Sequence, residues 1–377
     1  MKAVAGYASA KPEAFNDYFA VTAQIWEKST RLSITNTYGG APQVASVPPK
    51  NPSWPSELLK RRVHFFNCHG APGDPRFFGE PANGVEEYPI SLEASYVQGK
   101  LREGTVVAAE CCYGGELYDL SVTRTQAGLC NTYLGNKAYG FFASTTIACG
   151  PAEGNGQADL LCQYFLQNVL EGASLGRAAL EARQKFVRTA SPPDPFDLKT
   201  LAQFNLYGDP SLTPVESKPA FVAAIQTRAE RVERHDRRRE LFRGGLDLAS
   251  REPVPKRTKA NTPKRIVNRL RAVARNSRTE PASVLSFKLH YPNGPKGQDK
   301  SAAKAAMPRA YAEKGTLPTA YHVLFARPAD ATPSGARAGT SAEPKSAKEK
   351  PNIVRIVAFI GKEVDGELVS IREMHSR

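Results

Sequence analysis

The chain predicts an α/β fold with a mostly parallel sheet flanked by helices, and three observations carry that prediction. Short apolar runs alternate with helical patterns from about residue 63 to residue 212. Two of those runs, Val63-His64-Phe65-Phe66-Asn67-Cys68-His69-Gly70 and Val106-Val107-Ala108-Ala109-Glu110-Cys111-Cys112-Tyr113-Gly114-Gly115, end in a reactive side chain followed by glycine. The near-continuous apolar character of 105–112 and 138–147 suits strands of a parallel sheet covered on both faces. Parallel sheets present catalytic groups in this way, at the carboxyl edge, where glycine opens the turn.

The elements follow in order. Residues 13–28 predict an amphipathic helix, with Phe15, Tyr18, Phe19, Val21, Ile25 and Trp26 as its stripe. A loop rich in Gly and Pro covers 39–55. The first strand of the pattern is then 63–68, the second 105–112 and the third 138–147. Helices are predicted over 157–170, with Leu160, Leu161, Tyr164, Phe165 and Val169 on one face, and over 174–187. Ser174 caps the second, and Arg183, Lys185 and Arg188 load its carboxyl end favourably. A short last strand, 204–207, closes at the turn Gly208-Asp209-Pro210.

Beyond Val215 the pattern changes. Residues 218–248 read as a helix with a strongly charged face, 251–262 as basic linker, and 263–276 as a second basic helix. Residues 293–351 are largely Ala, Pro, Gly, Lys and Ser, interrupted by Ala320-Tyr321-His322-Val323-Leu324-Phe325. A strand over 353–360, a turn at Asp365-Gly366 and a short strand over 368–371 predict a closing hairpin. The expected organisation is a domain over 1–216, a basic helical or linker segment over 217–285, and a low-complexity region with a small β-hairpin over 286–377.

Composition narrows the chemistry. Of 377 residues 41% are hydrophobic and 23% charged, enough to bury a core, and the net charge is +14. The excess sits in the arginine-dense stretch 228–278, a possible contact for a polyanion through phosphate groups. Phe242 is its one aromatic, so base stacking is not indicated, and acids three or four residues from the arginines fit a solvated, salt-bridged helix face. The six cysteines, Cys68, Cys111, Cys112, Cys130, Cys149 and Cys162, include an adjacent pair and no C-x-x-C, which argues against a disulfide framework and against zinc. No cofactor or metal is expected. No apolar run marks a signal peptide or a membrane span, so a reducing, cytoplasmic setting without membrane contact is expected.

A cysteine nucleophile needs a base within hydrogen-bond reach and donors for the oxyanion that forms at the attacked carbonyl. His69, followed by Gly70, is the candidate base. His64 faces away and reads as structural. Cys111 and Cys112 are neighbours on a predicted strand and so point to opposite faces, one towards His69 and one into the core. Cys68, Cys130, Cys149 and Cys162 read as packing residues.

With these residues in place, the chain resembles the caspase-fold cysteine peptidases, and within them the gingipain type. The resemblance rests on Phe65-Phe66-Asn67-Cys68-His69-Gly70, on Glu110-Cys111-Cys112-Tyr113-Gly114, on Ser144-Thr145-Thr146-Ile147-Ala148, and on Gln203-Phe204-Asn205-Leu206-Tyr207-Gly208-Asp209-Pro210-Ser211-Leu212. It covers roughly residues 1–215. It implies a caspase-like sheet and hydrolysis of peptide bonds in a protein or peptide substrate. Glu110 takes the acidic position, Cys111 that of the usual alanine, and Cys112 that of the nucleophile, with His69 as acid and base. The backbone N–H groups of Gly70 and Cys112 form the implied oxyanion hole. Cys111 remains the alternative nucleophile. Asp159 and Asp119 are possible acids of a specificity pocket, each weighed against a role as an ordinary helix or loop acid. Two other functions compete: a caspase-fold scaffold without proteolysis, and nucleic-acid binding through the arginine-rich segment.

Overall fold

A computed structural model describes residues 8–49, 53–83, 85, 87–120, 126–151, 154–189, 194–216, 256–259, 261–290, 320–328, 351, 353–364 and 366–377. Its strands are β1 (Tyr18–Ala23), β2 (Val44–Val47), β3 (Val63–Asn67), β4 (His69–Gly70), β5 (Arg76–Phe78), β6 (Ile90–Glu93), β7 (Val106–Ala109), β8 (Gly140–Ser144), β9 (Cys149–Gly150) and β10 (Phe204–Gly208). The carboxyl-terminal part adds β11 (Lys256–Lys259), β12 (Thr279–His290), β13 (Ala320–Pro328), β14 (Val357–Val364) and β15 (Glu367–Ser376). The helices longer than one turn are α1 (Glu27–Tyr38), α2 (Leu129–Gly135), α3 (Gln157–Leu170), α4 (Leu175–Thr189), α5 (Pro195–Gln203) and α6 (Lys264–Asn276).

The main sheet has the order β10-β8-β7-β3-β1-β2, parallel throughout except for β10. Successive side chains on its strands face opposite ways. Phe65, Ala108 and Phe142 therefore pack with Leu161 and Phe165 of α3 and Phe186 of α4. Phe66, Ala109 and Phe141 pack on the other face with Leu129 and Tyr133 of α2. The expected α/β class is what forms. The strand order reverses between β1 and β3, and the crevice outside the carboxyl ends at such a reversal is where open α/β sheets place their sites.

The amino-terminal expectation needs correction. Residues 13–28 are not one helix: β1 occupies 18–23 and α1 starts only at Glu27. All six β1 residues are buried, so their continuous apolar run satisfied a helical stripe as well as a strand. With β2, two strands precede the His strand, which lies third in the chain.

Beyond residue 216 the prediction was too sparse. Residues 218–248 lie outside the described residues. The expected linker contains β11, and β12 and β13 are long strands, β12 running through residue 285. They join β14 and β15 in an antiparallel sheet of order β11-β12-β13-β14-β15-β9. The second basic helix is there as α6, with Ile266, Leu270 and Ala274 against Leu324, Phe359 and Leu368 of that sheet. Its Arg269, Arg271 and Arg275 are exposed. The closing hairpin is present, turning at Gly366 with φ of +88°, but its first strand starts four residues later than predicted, at Val357, and its second runs on to Ser376. The opposite face of the sheet packs Met374, Tyr321 and Ile360 against Cys149 and Phe196. Among the described residues no helix is long and apolar enough to cross a membrane.

Candidate functional site

Three loops at the carboxyl edge of the main sheet build the site. After β1, Trp26 closes a single 3-10 turn that leads into α1. After β3, Asn67 is pinned by its Nδ2, which donates to Ser29 Oγ at 3.2 Å and Thr30 Oγ1 at 3.1 Å, and His69 and Gly70 follow as β4. After β7, the ladder continues one residue further, through the Glu110 N–H to the Phe66 carbonyl at 2.8 Å. The chain then turns at 111–115. Tyr113, with φ of +55°, takes the left-handed conformation there, held by its N–H on the Thr146 carbonyl at 2.9 Å.

The paired cysteines lie past the end of the strand, and that turn sends them into opposite core layers. Cys111 packs with Phe66, Val107 and Phe77, its Sγ 3.8 Å from the Phe66 carbonyl. Cys112 belongs to the opposite core layer, its Sγ 3.5 Å from the Ala148 carbonyl. Gly70 abuts Cys112 so closely that a Cβ at Gly70 would stand 1.8 Å from the Cys112 carbonyl oxygen. Gly70 and Cys112 are thus in direct backbone contact. Burial pushes the Cys112 thiol up to about 12 and the Cys111 thiol well above its usual range. All six cysteines are free.

His69 is fully enclosed, its ring 4.4 Å from that of Trp26 and edge-on to Tyr88. Its Nε2 lies 2.5 Å from Glu80 Oε2. Burial lowers the His69 pKa against the pull of Glu80. For Glu80 burial works the other way, but the bond to His69 and the charge of Arg355, 3.0 Å from Oε1, leave its pKa lowered. A neutral imidazole beside an ionised carboxylate carries its proton on Nε2 and donates it to Glu80. Nδ1 then holds the free lone pair, and among the described residues it has no hydrogen-bond partner. His64, by contrast, sits among Phe19, Phe66 and Tyr133, its Nδ1 2.8 Å from Tyr133 Oη, and is structural as expected.

A third component was not foreseen. Arg377 is buried at the site. Its Nη2 donates to Asp159 Oδ1 and Oδ2 at 2.9 and 3.0 Å and to the Pro151 carbonyl at 3.2 Å, and its guanidinium carbon stands 4.8 Å from the centre of the Trp26 ring. Gly150 admits it, since a Cβ there would lie 2.4 Å from Nη2. The Arg377 N–H donates to the Ala148 carbonyl at 2.9 Å, and the Arg377 main-chain oxygen accepts from the Cys112 N–H at 3.3 Å. Asp159 sits in the first turn of α3, where its Oδ2 also accepts the Gly156 N–H at 3.2 Å. Beside it Glu110 is enclosed, and burial together with the Asp159 charge holds its carboxyl protonated well above the usual range. Asp119 is exposed on the loop after the turn.

Of the residues that sequence reasoning missed, Glu80 follows His69 by eleven positions and returns to it through the β4–β5 pairing. No local motif marks it. Trp26 falls on the stripe of the predicted 13–28 helix, whereas it ends the 3-10 turn before α1. Among the described residues no cluster of three or more His, Cys, Asp or Glu side chains is arranged to hold a metal ion. No family model matches this chain, and no curated protein sequence matches it.

Proposed function

We propose that this chain is a cysteine endopeptidase of the caspase fold that cleaves peptide bonds on the carboxyl side of arginine, with Cys112 as nucleophile. The observation that carries the reading is the pose of Arg377, whose guanidinium lies on Asp159 while its main-chain oxygen lies on the Cys112 N–H. A substrate arginine in the same place would be fixed at side chain, amide and carbonyl before any chemistry, and such positioning is a large part of what an enzyme supplies.

Catalysis then needs few further parts. The Cys112 thiol passes its proton to His69 Nδ1, and the sulfur attacks the carbonyl carbon of the arginine residue. The oxygen gains negative charge, which the Cys112 N–H and, by the resemblance, the Gly70 N–H stabilise. The C–N bond breaks as His69 returns the proton to the leaving amine, giving a thioester on Cys112. Water, deprotonated by His69, hydrolyses the thioester and frees the thiol. Glu80 is a positioning residue: it fixes which nitrogen of His69 carries a proton and stabilises the imidazolium that forms transiently.

The competing reading is a caspase-fold scaffold without turnover. It draws on the buried, protonated thiol of Cys112, which approaches the Ala148 carbonyl and has no hydrogen bond to His69 Nδ1. Fluorogenic peptides carrying arginine, lysine or alanine before the reporter group separate the two. The peptidase reading predicts hydrolysis of the arginine peptide, lost in Cys112→Ala and kept in Cys111→Ala. No hydrolysis of any of them, with Arg377 intact or replaced, favours the scaffold.

A further inference from the structure

The end of β15 enters the groove as an extended peptide would. His375 and Ser376 pair antiparallel with Gly150 and Cys149, adding a strand to the short edge β9. One residue on, the Arg377 contacts with Ala148, Cys112 and Asp159 complete the register. Met374 packs with Cys149 and Phe196. Arg372 Nη2 bonds Asp194 Oδ2 and lies 3.3 Å from both Asp197 oxygens, at the amino end of α5. The preceding loop closes the other side: the Ser376 N–H donates to the Ile356 carbonyl at 2.9 Å, and Arg355 pairs with Glu80. Three arginines, Arg372 in β15 and Arg355 and Arg377 beside the sheet, thus reach acids of the main domain.

We propose that the carboxyl-terminal sheet is a built-in inhibitor, whose residues 372–377 fill the groove in the manner of a substrate and must leave before an arginine peptide can enter. The proposal rests on the peptidase reading for its consequence, though not for its geometry. Strand addition supplies main-chain hydrogen bonds and the side-chain pockets supply selection, as in other extended-peptide complexes. β15 pairs with β14 along eight residue pairs and with β9 along only two. The segment is therefore held by its own sheet and presented to the groove at high effective concentration, so a free peptide competes poorly. Arg372, 47% exposed, is the outer anchor and the place where release starts.

The test uses the full chain, its Arg377→Ala and Arg372→Ala variants, and a labelled peptide of residues 368–377 with an amidated end. Fluorescence anisotropy should show binding to Arg377→Ala at least about tenfold tighter than to the wild type, since freeing the groove removes the competing occupied state. Arg372→Ala should fall between the two, and Asp159→Asn added to Arg377→Ala should abolish binding. Circular dichroism checks that each variant is folded, and Arg372→Ala, altered at the surface, guards against a failure of Arg377→Ala to fold. Equal binding to wild type and variants, or binding indifferent to Asp159, overturns the proposal. Turnover of an arginine reporter peptide separates the two ideas. Equal rates in wild type and Arg377→Ala defeat the inhibitor and leave the peptidase standing. Tighter peptide binding by Arg377→Ala with no turnover supports the inhibitor geometry and defeats the peptidase.

Discussion

Asp159 and Arg377 lie 218 residues apart in the chain and form an ion pair with both side chains fully buried, Nη2 2.9 Å from Oδ1. Removing one member of such a pair leaves the other charged and desolvated, at a cost of several kcal/mol. On the proposed peptidase reading, the same arithmetic applies to an arginine brought by a substrate.

Asp159→Asn is therefore expected to lower kcat/KM for an arginine peptide by roughly 30- to 3,000-fold, the equivalent of about 2–5 kcal/mol for a buried charge pair truncated on one side. The measurement is made in the Arg377→Ala background, so that the groove is open in both proteins. Retention of full arginine turnover would place the selecting group elsewhere.

Glu80→Gln tests the positioning of His69. The ionised carboxylate raises the His69 pKa against burial, so its loss should carry that pKa further down. The acid limb of the kcat/KM profile then moves to lower pH, while kcat falls about tenfold or more through loss of the correct tautomer and of imidazolium stabilisation. A fall in rate with the acid limb unmoved would mean that Glu80 acts only as packing.

Gly70→Ala places a Cβ against the Cys112 carbonyl oxygen, a backbone atom that has no rotamer by which to move away. Overpacking of this kind typically costs about 1–3 kcal/mol and occasionally more. A lowered thermal midpoint together with lost reactivity at Cys112 is the expected pair of results. An unchanged midpoint and unchanged reactivity would show that the two segments are not in contact.

Acid lability follows from His64. Burial lowers its pKa to about 3 in the folded chain, against 6.5 for an exposed imidazole. Below about pH 6.5 the unfolded state takes up a proton that the folded state refuses, so its contribution is complete above that pH and declines as the pH falls towards 3. The slope reaches about 1.4 kcal/mol per pH unit for one such group. Urea unfolding between pH 7 and pH 4 should show the slope, reduced in His64→Phe; an identical slope in that variant would assign the lability to other groups.

Much of this was written locally in the sequence. β3 and β7 announce themselves as apolar runs ending in His-Gly and Cys-Cys-Tyr-Gly, and the alternation of α3 and α4 with strands marks the α/β class. β1 was not legible as a strand, because a segment buried at every position carries no period of two. Glu80 had no spacing to betray it, since its partnership with His69 depends on how β4 and β5 pair. Asp159 was visible as an acid in the first turn of a helix, an ordinary place for one. Its role depends on a residue delivered by a distant sheet. That sheet was obscured in turn, because antiparallel partners such as β12 and β13 are separated by a long stretch rich in Ala, Gly and Lys.

The most direct measurement is covalent labelling of Arg377→Ala by a peptidyl-arginine acyloxymethyl ketone, mapped by mass spectrometry. Cys111 carries a buried thiol among Phe66 and Phe77, so Cys111→Ala should cost about 1 kcal/mol of stability, a small large-to-small change, and leave labelling intact. The account predicts one adduct, on Cys112, absent in Cys112→Ala and strongly reduced in Asp159→Asn. An adduct on Cys111, or none on a folded protein with the groove open, would contradict it.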